Sequence, residues 1–145
     1  MNSYFQLTKP QVEHLAEKYG TPLLVLSTAQ IERNYRFLEE HLPKVKLYYA
    51  VKSNPHEEIV RTLANLGSYF DVASDGEMLT LSEMGISGDR MVYANPVKTQ
   101  SGMAAARRTG VYKFTFDSKS EVTKMAKHLP GGTVLVVGND GKLYR

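Results

Sequence analysis

Cysteine is absent from the 145 residues, which excludes disulfides, a thiol nucleophile and any zinc site built on thiolates. That absence suits a reducing compartment. Long apolar runs are also missing: nothing approaches the roughly 20 residues needed to cross a bilayer. The opening "MNSYFQLTKPQ" has neither the apolar core of a secretory signal nor the arginine bias of a transit peptide. The expectation is a cytoplasmic protein with no membrane partner. Charge of one sign is nowhere gathered into a block, since 18 Lys and Arg are scattered among 15 Asp and Glu for a net +3; no nucleic-acid partner is expected. The sharpest basic cluster, "ARRTG" at 106 to 110, suits the negative end of a helix dipole. A phosphate-cradling glycine loop is lacking; "GISGDR" at 85 to 90 reads as a helix C-cap followed by a turn. His14, His41, His56 and His128 show no spacing of a metal site or a catalytic triad, so no metal is expected.

What remains, 42% hydrophobic and 23% charged residues, is the mix of one folded soluble domain. Strand-like runs start at residues 22, 46, 69, 91, 112 and 133: "PLLVLS", "KLYYAV", "YFDVAS", "MVYAN", "YKFTF" and "TVLVV". Helical periodicity lies between them. Several helices carry a capping-box start, with Thr8 and Gln11, Ser27 and Gln30, Asn54 and Glu57, Ser74 and Glu77, Ser118 and Glu121. Pro55 is placed for the first helical position after Asn54. Ile59, Leu63 and Leu66 form one stripe, opposite Glu57, Glu58 and Arg61. Strands alternating with amphipathic helices at so regular a spacing predict an α/β fold with parallel strands covered on both faces. A closed barrel of this style takes about 200 residues or more, an open sheet fewer. Near the end, Asn139, Asp140 and Gly141 predict a turn.

In either architecture the site forms at the C-terminal ends of the strands. Lys52, Ser53 and Asn54 end the second run; Asp71 lies within the third, which leads to Ser74 and Glu77; Asn95 and Lys98 follow the fourth, Asp117 and Ser118 the fifth. A lysine held near carboxylates, where water is partly excluded, can be deprotonated and attack an aldehyde. The plainer reading of Lys52 is a solvated amine whose stem covers apolar surface. Glu77 is explained equally by helix capping, whereas Asp71 inside an apolar strand needs a partner or a solvated mouth.

The segments "YYAVKSNP", "GSYFDVASDGEM", "RMVYANPVK" and "KFTFDSKSEVTKMAKHLP", in this order, resemble the fold-type III pyridoxal phosphate decarboxylases of basic amino acids, in particular the ornithine and lysine/ornithine decarboxylases. The resemblance covers roughly residues 5 to 136. It implies pyridoxal 5'-phosphate as cofactor and Lys52 as the lysine that carries it. Asp71 and Glu77 match acidic positions that help place its amine, and Ala50 matches the small residue that lets the ring lie close to the strand.

The implied fold is an incomplete (β/α)8 barrel of alanine racemase-like type with about five of its strands, preceded by "PLLVLS" as a strand of a second β domain. Residues 1–40 then lead into the barrel and 41–145 form its cofactor-binding part. The implied reaction, by the intact enzyme, is decarboxylation of L-ornithine to putrescine, or of lysine to cadaverine, in a homodimer. The 145-residue chain is expected to be its N-terminal portion and inactive alone. Where the family tends to carry an arginine near the end of the fifth barrel strand, this sequence has Val136 and Val137. The ring-stacking histidine, the phosphate loop and the acidic partner of the pyridine nitrogen have no counterpart here. Two other readings stand beside this one: a non-catalytic relative that binds a full-length protomer or another protein through an unfinished edge, and an open-sheet domain in which Lys52 is merely solvated.

Overall fold

The computed structural model describes residues 5–129, 135–137 and 143–144. Six helices, α1 (Lys9–Tyr19), α2 (Thr28–His41), α3 (Glu57–Asn65), α4 (Asp75–Glu83), α5 (Gln100–Thr109) and α6 (Lys119–His128), accompany six strands, β1 (Tyr48–Ala50), β2 (Tyr69–Val72), β3 (Met91–Tyr93), β4 (Lys113–Thr115), β5 (Leu135–Val137) and β6 (Leu143–Tyr144). The strands form one sheet in the order β1-β2-β3-β4-β5-β6. β1 to β5 pair in parallel, with Ala50 opposite Asp71, Asp71 opposite Val92 and Tyr93 opposite Phe114, and β6 closes antiparallel on β5.

A strictly sequential parallel order has no reversal point, so the chain is not doubly wound. Crossovers of one hand then deliver every helix to the same face, as in a barrel wall. The burial follows: Phe70, Val72, Met91, Tyr93 and Phe114 are buried under the helices, while Asp71, Val92, Lys113 and Thr115, which alternate with them, are only half-buried. The expectation of cover on both faces is therefore corrected. This is a partial barrel in which, among the described residues, the inner face is open and the helical layer lies on the outer face.

That layer supplies Ile59, Val60 and Leu63 from α3, Met78 and Leu81 from α4, Met103, Ala105 and Ala106 from α5, and Met125 from α6. The stripe expected on α3 is the one that packs, and Arg61 bonds Glu57 at 2.6 Å on its outer side. At the N-terminal ends of the strands, Arg90 ties the sheet to α3 by donating to the Ser68 and Ala64 carbonyls. Gly85 takes the left-handed φ of 82° that ends α4, and a 3-10 turn follows over Gly88–Arg90, as "GISGDR" predicts. The cluster "ARRTG" closes α5 with Gly110 in the left-handed conformation.

Two further expectations are corrected. "PLLVLS" forms neither strand nor helix before Ser27 caps α2, and Leu24 is 85% exposed; a strand exists only through ladder bonds to a neighbour, and no described residue offers one. Asn54 does not cap α3. His56 does, its Nδ1 accepting from Glu58 N, while Asn54 Oδ1 accepts from His56 N and so forms a turn that precedes the helix. The turn expected at Asn139, Asp140 and Gly141 lies outside the described residues, as do Thr133 and Val134.

Candidate active site

At the C-terminal edge of the sheet, β1 passes directly into a 3-10 turn over Val51–Ser53. Buried Val51 anchors this turn, Ser53 Oγ donates to the Ala50 carbonyl at 2.7 Å, and Tyr49 Oη donates to the Asn54 carbonyl at 3.0 Å. The backbone on either side of Lys52 is thereby fixed while its side chain stays exposed. Partial exclusion of water from Lys52 is not found: with the inner face open, nothing covers the amine among the described residues.

Beside it on the inner face, Ala50 and Asp71 sit opposite one another in the ladder. Asp71 is half-buried, and burial pushes its carboxyl above the usual carboxylate range; the Lys52 charge pulls it down and the Glu77 charge pushes it up. Those influences are the signature of an amine and two carboxylates gathered at one mouth. Glu77 is held from two sides. Its backbone N–H donates to Ser74 Oγ at 3.2 Å, and its Oε2 accepts from Ala73 N at 2.8 Å. It is thus both a helix-start residue and a carboxylate fixed at the end of β2. All four expected residues come together at this edge, Ala50 and Asp71 on β1 and β2, Lys52 on the turn after β1 and Glu77 in the first turn of α4.

A second group stands at the same edge, where Lys98, expected among the strand-end residues, meets Glu121, expected only as a helix cap. Lys98 is 2% and Glu121 4% exposed. Lys98 Nζ lies 3.2 Å from Glu121 Oε1 and donates to the carbonyls of Asn95 at 3.0 Å, Pro96 at 3.3 Å and Thr115 at 2.6 Å. Glu121 Oε1 also accepts from Lys98 N at 2.9 Å, and Glu121 Oε2 meets Lys124 Nζ at 2.6 Å. Burial pushes the Lys98 ammonium below its ordinary value against the opposing pull of Glu121. Burial acts to raise Glu121, yet bonds from Lys124 and Lys98 outweigh it and hold the carboxyl below its ordinary value. The sequence carried one signal. Glu121 stands four residues before Met125 on the buried stripe of α6, a position where a carboxylate needs a cation, but its place three residues after Ser118 reads first as capping.

Residues 28–141 match the family model of the pyridoxal-dependent decarboxylases, pyridoxal binding domain. The chain is 51% identical over 132 residues to the lysine/ornithine decarboxylase of Selenomonas ruminantium, covering 91% of this chain and 34% of that one. Among solved structures it is similar to SrLDC in complex with PLP and cadaverine, with a TM-score of 0.87 and 51% identity over 91% of this chain and 35% of that one. It is also similar to the lysine/ornithine decarboxylase complexed with putrescine from Vibrio vulnificus, with a TM-score of 0.84 and 31% identity over 92% and 37%. The chain spans about a third of the length of the curated relatives it matches.

Proposed function

Because this chain belongs to the pyridoxal-dependent decarboxylases, as a pyridoxal binding domain, we propose that it is the part of an ornithine or lysine/ornithine decarboxylase that holds pyridoxal 5'-phosphate through Lys52. The observation that carries the reading is the exposed Lys52 amine, set on a pinned turn within the electrostatic reach of Asp71, which also senses Glu77. The residues fit the cofactor. A primary amine suits its aldehyde, Ala50 beside Asp71 keeps the floor of the mouth low for a planar ring, and the carboxylates can take or return a proton at Lys52 Nζ. When bound, pyridoxal phosphate supplies the electron sink for the pair left as a carboxylate departs as CO₂. Asp71, raised by burial and by the Glu77 charge, is the carboxylate suited to accept a proton, and Glu77 is held in place by the Ala73 N–H.

The substrate is a basic amino acid, ornithine or lysine, and the product a diamine; relatives crystallised with cadaverine and putrescine support this class. The same reading takes residues 41–145 as the cofactor-binding part and 1–40 as its lead-in, within a cytoplasmic homodimer. The test is a titration of the purified chain with pyridoxal phosphate, followed by absorbance, for the unaltered chain and for Lys52→Ala and Lys44→Ala. Lys52→Ala is expected to weaken binding by about tenfold or more, a loss of about 1.4 kcal/mol, and Lys44→Ala to leave it unchanged. Equal binding by both variants would overturn the assignment.

A further inference from the structure

We propose that Lys98, with Glu121, is a positioning residue of this mouth: its buried ammonium clamps the ends of β3 and β4 and, through Asn95, fixes Ala73 and Glu77 at the end of β2. The inference rests on the cofactor-holding reading above and adds to it a group that touches none of the four residues named there. Lys98 Nζ gathers carbonyls from the loop after β3 (Asn95 and Pro96) and from the last residue of β4 (Thr115), and Glu121 joins α6 to the same point. Lys124 returns to the Lys98 carbonyl at 2.6 Å and closes the group on itself.

From this clamp a line of bonds runs to the site. Asn95 Nδ2 donates to the Ala73 carbonyl at 3.3 Å, Ala94 N donates to the Val72 carbonyl at 3.0 Å, and Ala73 N donates to Glu77 Oε2 at 2.8 Å. The Asn95 side chain is itself set by its loop, accepting from Val97 N at 3.1 Å. Moving the loop after β3 therefore moves Ala73, and with it the Glu77 carboxylate whose charge acts on Asp71.

Stability alone does not require such a group. Replacing a buried ion pair with apolar side chains of like volume is often neutral or stabilising, whereas removing one partner leaves a costly lone charge. What a charged clamp supplies that an apolar plug cannot is direction: an ammonium with three protons and four acceptors fixes where each backbone carbonyl must stand. The ends of the strands are where an α/β barrel keeps its chemistry, and displacement by about 1 Å there is enough to cost on the order of a hundredfold in rate.

The experiment compares the unaltered chain, Lys98→Met and the double variant Lys98→Met with Glu121→Gln, which leaves no lone buried charge. Three quantities are read: melting temperature, the rate at which pyridoxal phosphate and borohydride label Lys52, and the Asp71 titration followed by carboxyl-carbon NMR. Lys98→Met is expected to melt lower. The double variant is expected to recover its melting temperature yet to label Lys52 about ten- to a hundredfold more slowly, with the Asp71 midpoint falling toward its ordinary value as water enters. A folded double variant that labels Lys52 at the unaltered rate, with Asp71 unmoved, would overturn the positioning role. Failure of the unaltered chain to label Lys52 overturns the cofactor reading itself, a result distinguishable from the first because it needs no variant.

Discussion

Asp71 carries the conflict between stability and use at the scale of single residues. Burial, the larger influence, and the Glu77 charge raise its carboxyl, and Lys52 only partly compensates. A carboxyl raised on folding is costly to ionise, so the folded chain is less stable above that raised value than the same chain with a neutral group there. Asp71→Asn is therefore expected to raise the melting temperature at pH 7 by a few degrees while reducing the yield of Lys52 label. Calorimetry and labelling on the same preparation check the two halves; a lower melting temperature with unchanged labelling would contradict the account. Lys52, Asp71 and Glu77 stand within or just after strand-like runs in the sequence, while Ala50 and the site roles of all four are what the family resemblance implies. What was not legible was exposure. An amine at a strand end is written the same way whether the inner face of the barrel is covered or open.

Glu121 shows the same limit at the scale of an element, the docking of α6. Ser118 and Glu121 have the spacing of a capping box, and Glu121 N does donate to Ser118 Oγ at 3.3 Å. Its carboxylate, however, turns inward to Lys98 and Lys124. Sequence spacing reports which groups can meet along one helix; it does not report a partner 23 residues away, on the loop after β3. Since Glu121 is held below its usual 4.5, its contribution to stability is complete above about that pH and is lost as pH falls through the depressed folded value. Glu121→Ala, which strands Lys98 as a lone buried cation, is expected to cost about 3–5 kcal/mol and to flatten the acid limb of the stability profile, both measurable by urea unfolding between pH 3 and 7. An unchanged acid limb would mean that another carboxylate sets it. A second test belongs to α5. A Cβ on Gly88 would overlap the backbone of Thr109 and Gly110, so Gly88→Ala is expected to destabilise the chain by about 1–3 kcal/mol, read in the same unfolding series.

For the whole molecule, the alternation of parallel strands with helices was legible from the regular spacing of the runs, whereas the restriction of the helices to one face was not, because near-continuous apolar strands read as covered on both. The fate of "PLLVLS" was not, because a β-strand is defined by the neighbour it pairs with and the local text names none. A partial barrel also leaves half-buried Asp71 and Val92 on an open face, where the reacting carbon of a substrate has few walls to orient it. The 145-residue chain by itself is expected to release no CO₂ from labelled ornithine or lysine, and release above the buffer background would contradict that. Holding the cofactor asks less of the fold than turning it over does, since the amine and its carboxylates all stand on the turn after β1, on β2 and on the first turn of α4. The direct measurement is to incubate the purified chain with pyridoxal phosphate, reduce with borohydride and locate the label by peptide mass mapping. The account predicts about one equivalent of label per chain, concentrated on Lys52; label spread across exposed lysines such as Lys44, Lys46 and Lys119, with no excess on Lys52, would contradict it.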